Sequence, residues 1–308
     1  MDFAGLYKNC RLCPRDCGVD RFAGAGYCGE GADLRLAFAG LHSGEEPPLC
    51  GRGGSGTVFV SGCNLGCVFC QNRQISGGST AVLAGERLGR AVSPEEFTAI
   101  CLKLQDAGAE NINIVTGSHA VPALVRGLRV AKSAGLHLPV LWNSSGYEHT
   151  QTLELLDGCV DTWLPDMKTL DSALAARFFN AGDYPAAARR AIELMARKRP
   201  VIVRHLILPG YLESTRSVLR WFADTAAGAA ERMRLSLMSQ YTPVGREGPG
   251  RTLTEREYET VLGWLGEFGI DDGFCQELVT GSGWLPDFGR PNPFSSHLSK
   301  PVWHFRNF

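Results

Sequence analysis

The 308-residue chain has no apolar run approaching the about 18–20 residues that a membrane-spanning helix needs, so none is expected. It has no excess of charge of either sign, because 31 Lys+Arg stand against 32 Asp+Glu for a net charge of -1. No global field recruits nucleic acid or an anionic membrane, and neither is expected as a partner. The first residues, Met1-Asp-Phe-Ala-Gly-Leu-Tyr-Lys8, lack a basic segment followed by an apolar one, so no export signal is expected. There is no internal repeat and no low-complexity tract. The glycine-rich run from Gly51 to Gly56 is no phosphate loop, since it leads into a strand pattern and lacks a Lys-Ser/Thr ending. What the chain has in quantity is cysteine, eleven in all. Seven fall in two tight groups, which suits metal binding in a reducing cytoplasm better than a disulfide framework. Hydrophobic content of 44% is ample for a buried core, and the length allows one large domain with or without a small one.

Three of the cysteines lie in Ser61-Gly-Cys-Asn-Leu-Gly-Cys-Val-Phe-Cys70, straight after the apolar run Thr57-Val-Phe-Val60. Cys63, Cys67 and Cys70, at C-x3-C-x2-C spacing, suit three corners of a 4Fe–4S cube. Such clusters normally take four cysteine thiolates. A loop supplying three leaves one iron open to an outside ligand, as catalytic metal sites do. A zinc knuckle or a plain cluster of buried cysteines is the alternative. The second group is Cys10, Cys13, Cys17 and Cys28, at x2, x3 and x10 spacing. Four thiols so placed can close around one centre. Zinc, the preferred reading, would make it structural; a second Fe–S cluster would make it an electron relay, and disulfides are the remaining alternative. Cys101 and Cys159 read as core residues, Cys50 as a bystander or spare thiol, and Cys275 stays unassigned.

From Thr57 onward short apolar runs alternate with helical stretches. The runs are Thr57–Ser61, Asn111–Val115, Pro139–Trp142, Val160–Leu164, Val201–Leu206 and Leu235–Gln240, with a further one near Phe274–Val279. Ser93-Pro-Glu-Glu96 reads as a capping box, and Phe97, Ile100, Cys101 and Leu104 share one helical face. Thr254 with Glu257 starts another helix in the same way. Strands alternating with helices imply an α/β fold with a parallel sheet. In Asn111-Ile-Asn-Ile-Val115 the asparagines alternate with apolar residues, which points Asn111 and Asn113 into the interior of the sheet, as ligand contacts or only as partners of structural water. His42, Glu45 and Glu46 form an HxxEE grouping that reads as a proton relay, a second metal site or a solvated loop.

The cysteine loop after a first strand, with aromatic Phe69 before its last cysteine, resembles the radical S-adenosylmethionine (SAM) enzymes. Together with His42-Ser-Gly-Glu-Glu-Pro-Pro48, Gln71-Asn72, Trp163-Leu-Pro-Asp-Met-Lys168 and Arg204-His-Leu-Ile-Leu-Pro-Gly210, it is similar to homologues of pyruvate formate-lyase activating enzyme, up to about Phe288. The resemblance implies a partial (β/α)6 barrel with chemistry at the C-terminal strand ends. It divides the chain into a Cys-rich metal-binding unit at 1–56, the barrel at 57–288 and an aromatic tail at 289–308. That tail carries Phe294, Trp303, His304, Phe305 and Phe308 and reads as a lid or edge cover.

The resemblance also implies that the open iron of a 4Fe–4S cluster on Cys63, Cys67 and Cys70 chelates SAM. Phe69 then leans on adenine. Thr116-Gly-Ser-His-Ala120 stands where the family carries Gly-Gly-Glu, whose backbone holds the amino group of SAM. Gly117 fits that pattern and Ser118 and His119 depart from it, so His119 is instead a candidate substrate ligand. Asn143, Ser145, Asp166, Lys168, Arg204 and Gln240 are the remaining expected SAM contacts. A carboxylate suits ribose hydroxyls, and an ammonium or guanidinium suits a carboxylate. Of Arg204 and His205 only one can face the lumen, and Arg204 is expected there.

The implied activity is an oxidoreductase-type radical enzyme. It would take one electron from a flavodoxin- or ferredoxin-type reductant, cleave SAM and abstract a hydrogen atom from a small molecule, a peptide or the glycine of a glycyl-radical enzyme. No cysteine lies between Asn72 and Ile100, where activating enzymes often carry extra clusters. An oxygen-poor setting suits a cluster with an open iron. The alternative is an Fe–S protein acting in electron transfer or assembly without radical chemistry.

Overall fold

The structure is a computed structural model and describes residues 3–76, 88–228, 232–245, 247–279 and 281–307; Phe308 of the expected tail lies outside them. The strands are β1 Arg35–His42, β2 Ser55–Val60, β3 Arg90–Ala91, β4 Ile112–Val115, β5 Val140–Ser144, β6 Thr162–Pro165, β7 Val201–Leu206, β8 Met233–Met238, β9 Gly273–Cys275 and β10 Ser299–His304. The helices are α1 Gly5–Lys8, α2 Pro47–Cys50, α3 Pro94–Asp106, α4 Val121–Ser133, α5 Thr150–Leu155, α6 Ser172–Phe179, α7 Tyr184–Lys198, α8 Leu212–Ala226 and α9 Glu255–Glu267.

All the strands join one sheet in the order β10-β1-β2-β4-β5-β6-β7-β8-β9, with β3 pairing β1. The six expected strands are β2 and β4 through β8, paired in parallel, and β9 adds another parallel strand beyond β8. Helices cross between them, as parallel neighbours require. The two ends of this path do not pair with each other, so the barrel is partial. It is nevertheless curled, because one cavity is lined by residues at or after the ends of β2, β4, β5, β6, β7 and β8.

Two strands lie outside the span expected for the barrel. Within the stretch assigned to the Cys-rich unit, Arg35-Leu-Ala-Phe-Ala-Gly-Leu-His42 forms β1, antiparallel to β2. The tail forms β10, antiparallel to β1 on its far side. Its Pro301 is tolerated because β10 is an edge strand. The 56/57 and 288/289 boundaries therefore separate stretches of sequence whose strands share one sheet.

The helices form for legible reasons. Ser93 Oγ accepts from Glu96 N at 3.1 Å and Pro94 occupies the first turn. The Glu96 carboxylate does not complete a capping box, however; it binds Arg90 instead. Thr254 and Glu257 do form a full box. Phe97, Ile100, Cys101 and Leu104 are buried against the sheet as one face.

The interior of the barrel holds its own small core. Leu141, Leu164 and Ile202 from β5, β6 and β7 cluster with Leu49 of α2. Asn111 fixes that insertion: its Nδ2 donates to Leu49 O at 2.6 Å and its Oδ1 accepts from Ser55 Oγ at 2.7 Å. Asn113 Nδ2 donates to Glu45 Oε1 at 3.2 Å. Asn111, just before β4, and Asn113 within it thus grip the segment that delivers Glu45 and Glu46 into the lumen.

Candidate active site

The cysteine loop leaves β2 through Gly62, whose φ is +88°. A Cβ there would stand 2.4 Å from Glu30 Cγ, so glycine is required by both backbone and space. The N-terminal unit then holds the loop. Cys63 N donates to Cys28 O at 3.4 Å, and Arg15 donates to the carbonyls of Asn64 and Leu65 at 2.8 and 2.7 Å. The Arg15 guanidinium stacks on Tyr27, 3.8 Å from the ring centre. On the other side Asn64 Nδ2 donates to Tyr147 O at 2.6 Å and Val68 N to Phe178 O at 3.0 Å.

Cys63, Cys67 and Cys70 line one cavity of about 210 Å³ and are unbridged. Burial, then the neighbouring Cys70, pushes the Cys63 thiol up to about 11; burial likewise raises Cys67 and Cys70. The Lys168 ammonium pulls in the opposite direction on all three. Three unbridged, half-buried thiols on one loop, where a bare thiolate is costly, form a soft donor set that fits an iron–sulfur cluster with one iron left open. Among the described residues no three His, Cys, Asp or Glu side chains are arranged as ligands of a single ion.

The strand ends complete this cavity. Phe69, Thr116, Asn143, Ser145, Asp166, Lys168 and Gln240 line it with the cysteines, as do Gln71, Asn72 and Phe179. Phe69 is wedged among Phe178, Phe179 and Tyr241 at centroid distances of 5.9, 5.7 and 5.3 Å. Lys168 Nζ donates to Asp166 Oδ2. Burial opposes the ammonium, but Asp166 and Cys67 outweigh it and hold the Lys168 pKa above its usual range. Tyr184, which sequence reasoning missed, pins this corner: its hydroxyl lies 2.9 Å from Ser145 O and 2.7 Å from Asp166 O and accepts from Lys168 N. Thr116 has φ +65°, strained for a β-branched residue, directly on the cavity wall.

Four expected contacts lie elsewhere. Gly117 is a glycine because Trp142 would stand 2.6 Å from a Cβ, a packing reason. Ser118 Oγ donates to the buried Glu148 carboxylate at 2.9 Å, beside donors from Trp142 Nε1 and Ser144 Oγ at 2.7 and 2.8 Å. His119 is 2% exposed and faces Ser61 O at 2.8 Å, so Nε2 carries the proton. Burial, then Arg21, lowers its pKa to about 3, which makes it a neutral structural residue rather than a substrate ligand. Arg204 does face the lumen, while His205 turns outward to Thr215 at 3.0 Å. Yet Arg204 lines a neighbouring cleft and not the cysteine cavity. Its Nε donates to Glu46 Oε1 at 2.8 Å, and its Nη2 binds both Glu45 and Glu46. The HxxEE grouping therefore supplies an ion-pair cage.

In the N-terminal unit the four cysteines are unbridged, and Cys10, Cys13 and Cys28 are buried. Burial, then the neighbouring thiols Cys28, Cys10 and Cys17 against a bond to Arg15, pushes Cys13 up to about 12. Arg21 lies among them with Nη1 3.9 Å from Cys10 Sγ and 2.6 Å from His119 O. Cys50 Sγ faces the carbonyls of His42 and Glu45 at 3.6 and 3.4 Å, Cys101 and Cys159 are buried in the main core, and Cys275 is exposed in β9.

Residues 57–222 match the profile of the radical SAM superfamily. The chain belongs to that superfamily. It is 30% identical over 274 residues to the uncharacterized protein MJ0674 of Methanocaldococcus jannaschii, covering 86% of this chain and 77% of the relative. A similar fold is seen in the crystal structure of Streptococcus suis SuiB bound to S-adenosylmethionine, at a TM-score of 0.52 and 14% identity over 70% of this chain. A second crystal structure of Streptococcus suis SuiB gives a TM-score of 0.51 at the same identity. The chain spans 48% and 47% of those two SuiB chains, about half their length. Among the described residues no helix is long and apolar enough to cross a membrane.

Proposed function

We propose that this radical SAM protein is an enzyme that reductively cleaves SAM and abstracts a hydrogen atom from a substrate in the adjoining cleft. The observation that carries this reading is one cavity gathering Cys63, Cys67 and Cys70 with Asp166, Lys168, Asn143, Ser145 and Gln240. When bound, a 4Fe–4S cluster with an open iron supplies one electron to SAM, giving methionine and a 5′-deoxyadenosyl radical that takes a hydrogen atom from the substrate. The electron comes from a one-electron reductant of flavodoxin or ferredoxin type. Cys63, Cys67 and Cys70 would hold the cluster through their three thiolates and would leave one iron for SAM. The Lys168 ammonium offsets the charge of the thiolate set and faces the carboxylate end of SAM. The Asp166 carboxylate accepts from ribose hydroxyls, with Tyr184 fixing its backbone. Phe69, backed by Phe178, Phe179 and Tyr241, gives adenine an apolar wall that excludes water.

The four N-terminal thiols are proposed to hold one centre, zinc in the preferred reading and a second Fe–S cluster in the alternative. Their role toward the cysteine loop is support, through the Cys28 carbonyl and Arg15. A cytoplasmic, oxygen-poor setting goes with this chemistry.

Asp166→Asn tests the cofactor cradle. Losing one charge-assisted contact costs about 1.5–3 kcal/mol, roughly ten- to a hundredfold in affinity. Binding of radiolabelled SAM to the reconstituted variant should weaken by that factor while its cluster absorption matches the parent. Parental SAM affinity in Asp166→Asn would remove this carboxylate from the site.

A further inference from the structure

Beside the cysteine cavity lies a second cleft of about 220 Å³, which shares Asn143, Asp166 and Gln240 with it. Its remaining wall carries Glu45, Arg204 and the rings of His42, Phe59, Trp284 and Phe294. A molecule in this cleft would lie directly against one in the cysteine cavity.

The wall has an unmet hydrogen-bonding capacity. Arg204 is 8% exposed, and Glu45 and Glu46 occupy its Nε and Nη2. Among the described residues its Nη1 has no hydrogen-bond partner, so the guanidinium keeps N–H donors for an oxygen acceptor in the cleft. The charges around the cleft are also unbalanced. Among the described residues the carboxylates of Glu45, Glu46 and Asp166 are ion-paired with two cations, Arg204 and Lys168. Burial lowers the His42 pKa, so this ring adds no positive charge near neutral pH. The excess negative charge favours a cationic ligand, and aromatic faces add to the attraction for an ammonium group.

The outer wall of the cleft is fixed. Phe294 packs on Phe59 and His42 at 5.4 and 4.8 Å between ring centres. Phe288 is fully buried, its amide donates to Gln74 Oε1 at 2.7 Å, and His304 Nε2 holds its carbonyl at 3.1 Å. Strand β10 then locks the end of the tail to β1. A segment so anchored walls the cleft against a loop threaded in from a partner protein.

We propose that this cleft takes the substrate, and that the substrate is a small amino compound of the amino-acid class. Its ammonium meets Glu45, and its oxygen acceptor meets Nη1 of Arg204. Trp284 and Phe294 set the length of the side chain that fits. The inference rests on the reading of the cysteine cavity as the SAM site.

The test is equilibrium dialysis of the reconstituted, SAM-loaded protein against the radiolabelled proteinogenic amino acids, each compared with its N-acetylated form. At least one amino acid should be retained, and N-acetylation should abolish retention. Glu45→Gln should weaken retention at least tenfold while SAM binding stays within about twofold of the parent. Trp284→Ala, which leaves the charged cage untouched, should shift retention toward larger amino acids. Retention of no free amino acid by protein that binds SAM would overturn the proposal, as would retention indifferent to N-acetylation or to both substitutions. Failure of the parent to bind SAM would instead sink the reading on which the proposal rests.

Discussion

Cys67→Ala should abolish 5′-deoxyadenosine formation altogether. The loop provides three thiolates for the cluster, and a cluster that lacks one of them must find another ligand at the position intended for SAM or fall apart. The other unbridged thiol groups are not placed to replace it. Cys50 faces the carbonyls of His42 and Glu45, and Cys101 and Cys159 lie in the core behind the sheet. Iron in the parent after full reconstitution should stand near four per chain, and the variant should fall well below that value. If the N-terminal unit holds zinc, both proteins should keep about one zinc per chain, whereas iron near eight in the parent, with no zinc, would make that unit a second cluster. Parental rates of deoxyadenosine formation in Cys67→Ala would show that the cluster assignment is wrong.

Arg204→Ala should be among the most destabilising single substitutions in the barrel. Burial works against the Glu46 carboxylate, yet Arg204 outweighs it and holds the Glu46 pKa below the usual range. Removing the guanidinium leaves two carboxylates together, with side chains only 11% and 6% exposed, against one another. Stripping one partner from a buried ion pair costs about 3–5 kcal/mol. In a chain of this size that lowers the melting temperature by on the order of 10 °C. Adding Glu45→Gln and Glu46→Gln to Arg204→Ala should recover much of the loss, because no uncompensated charge remains. SAM affinity in folded Arg204→Ala protein should stay near the parent value, since Arg204 lines the second cleft. A melting temperature unchanged in the single variant would contradict the cage.

The barrel was legible because parallel strands write their burial into composition. The runs at Thr57, Asn111, Pro139, Val160, Val201 and Leu235 each became a strand, and the residues that follow them line the cavity. Alternation within β7 also told that Arg204 and His205 face opposite sides. What periodicity cannot convey is the partner. Glu46 lies 158 residues from Arg204 in sequence, so a lumen-facing arginine read as a cofactor ligand turned out to be held by two glutamates in the loop that leads into α2. Gly117, Ser118 and His119 misled for a related reason. Their places are set by Trp142, Glu148 and Ser61, contacts that exist only once β4 lies between β2 and β5. Strand β1 was missed because its Ala and Gly positions dilute an apolar run. Its signal was present in Leu36, Phe38 and Leu41.

The most direct test of the account is the reduced, reconstituted protein before and after addition of SAM, followed by electron paramagnetic resonance and product analysis. A reduced 4Fe–4S signal should appear, its g-values should shift when SAM occupies the open iron, and methionine and 5′-deoxyadenosine should form in equal amounts. A reduced cluster whose signal ignores SAM, with SAM recovered intact, would contradict it.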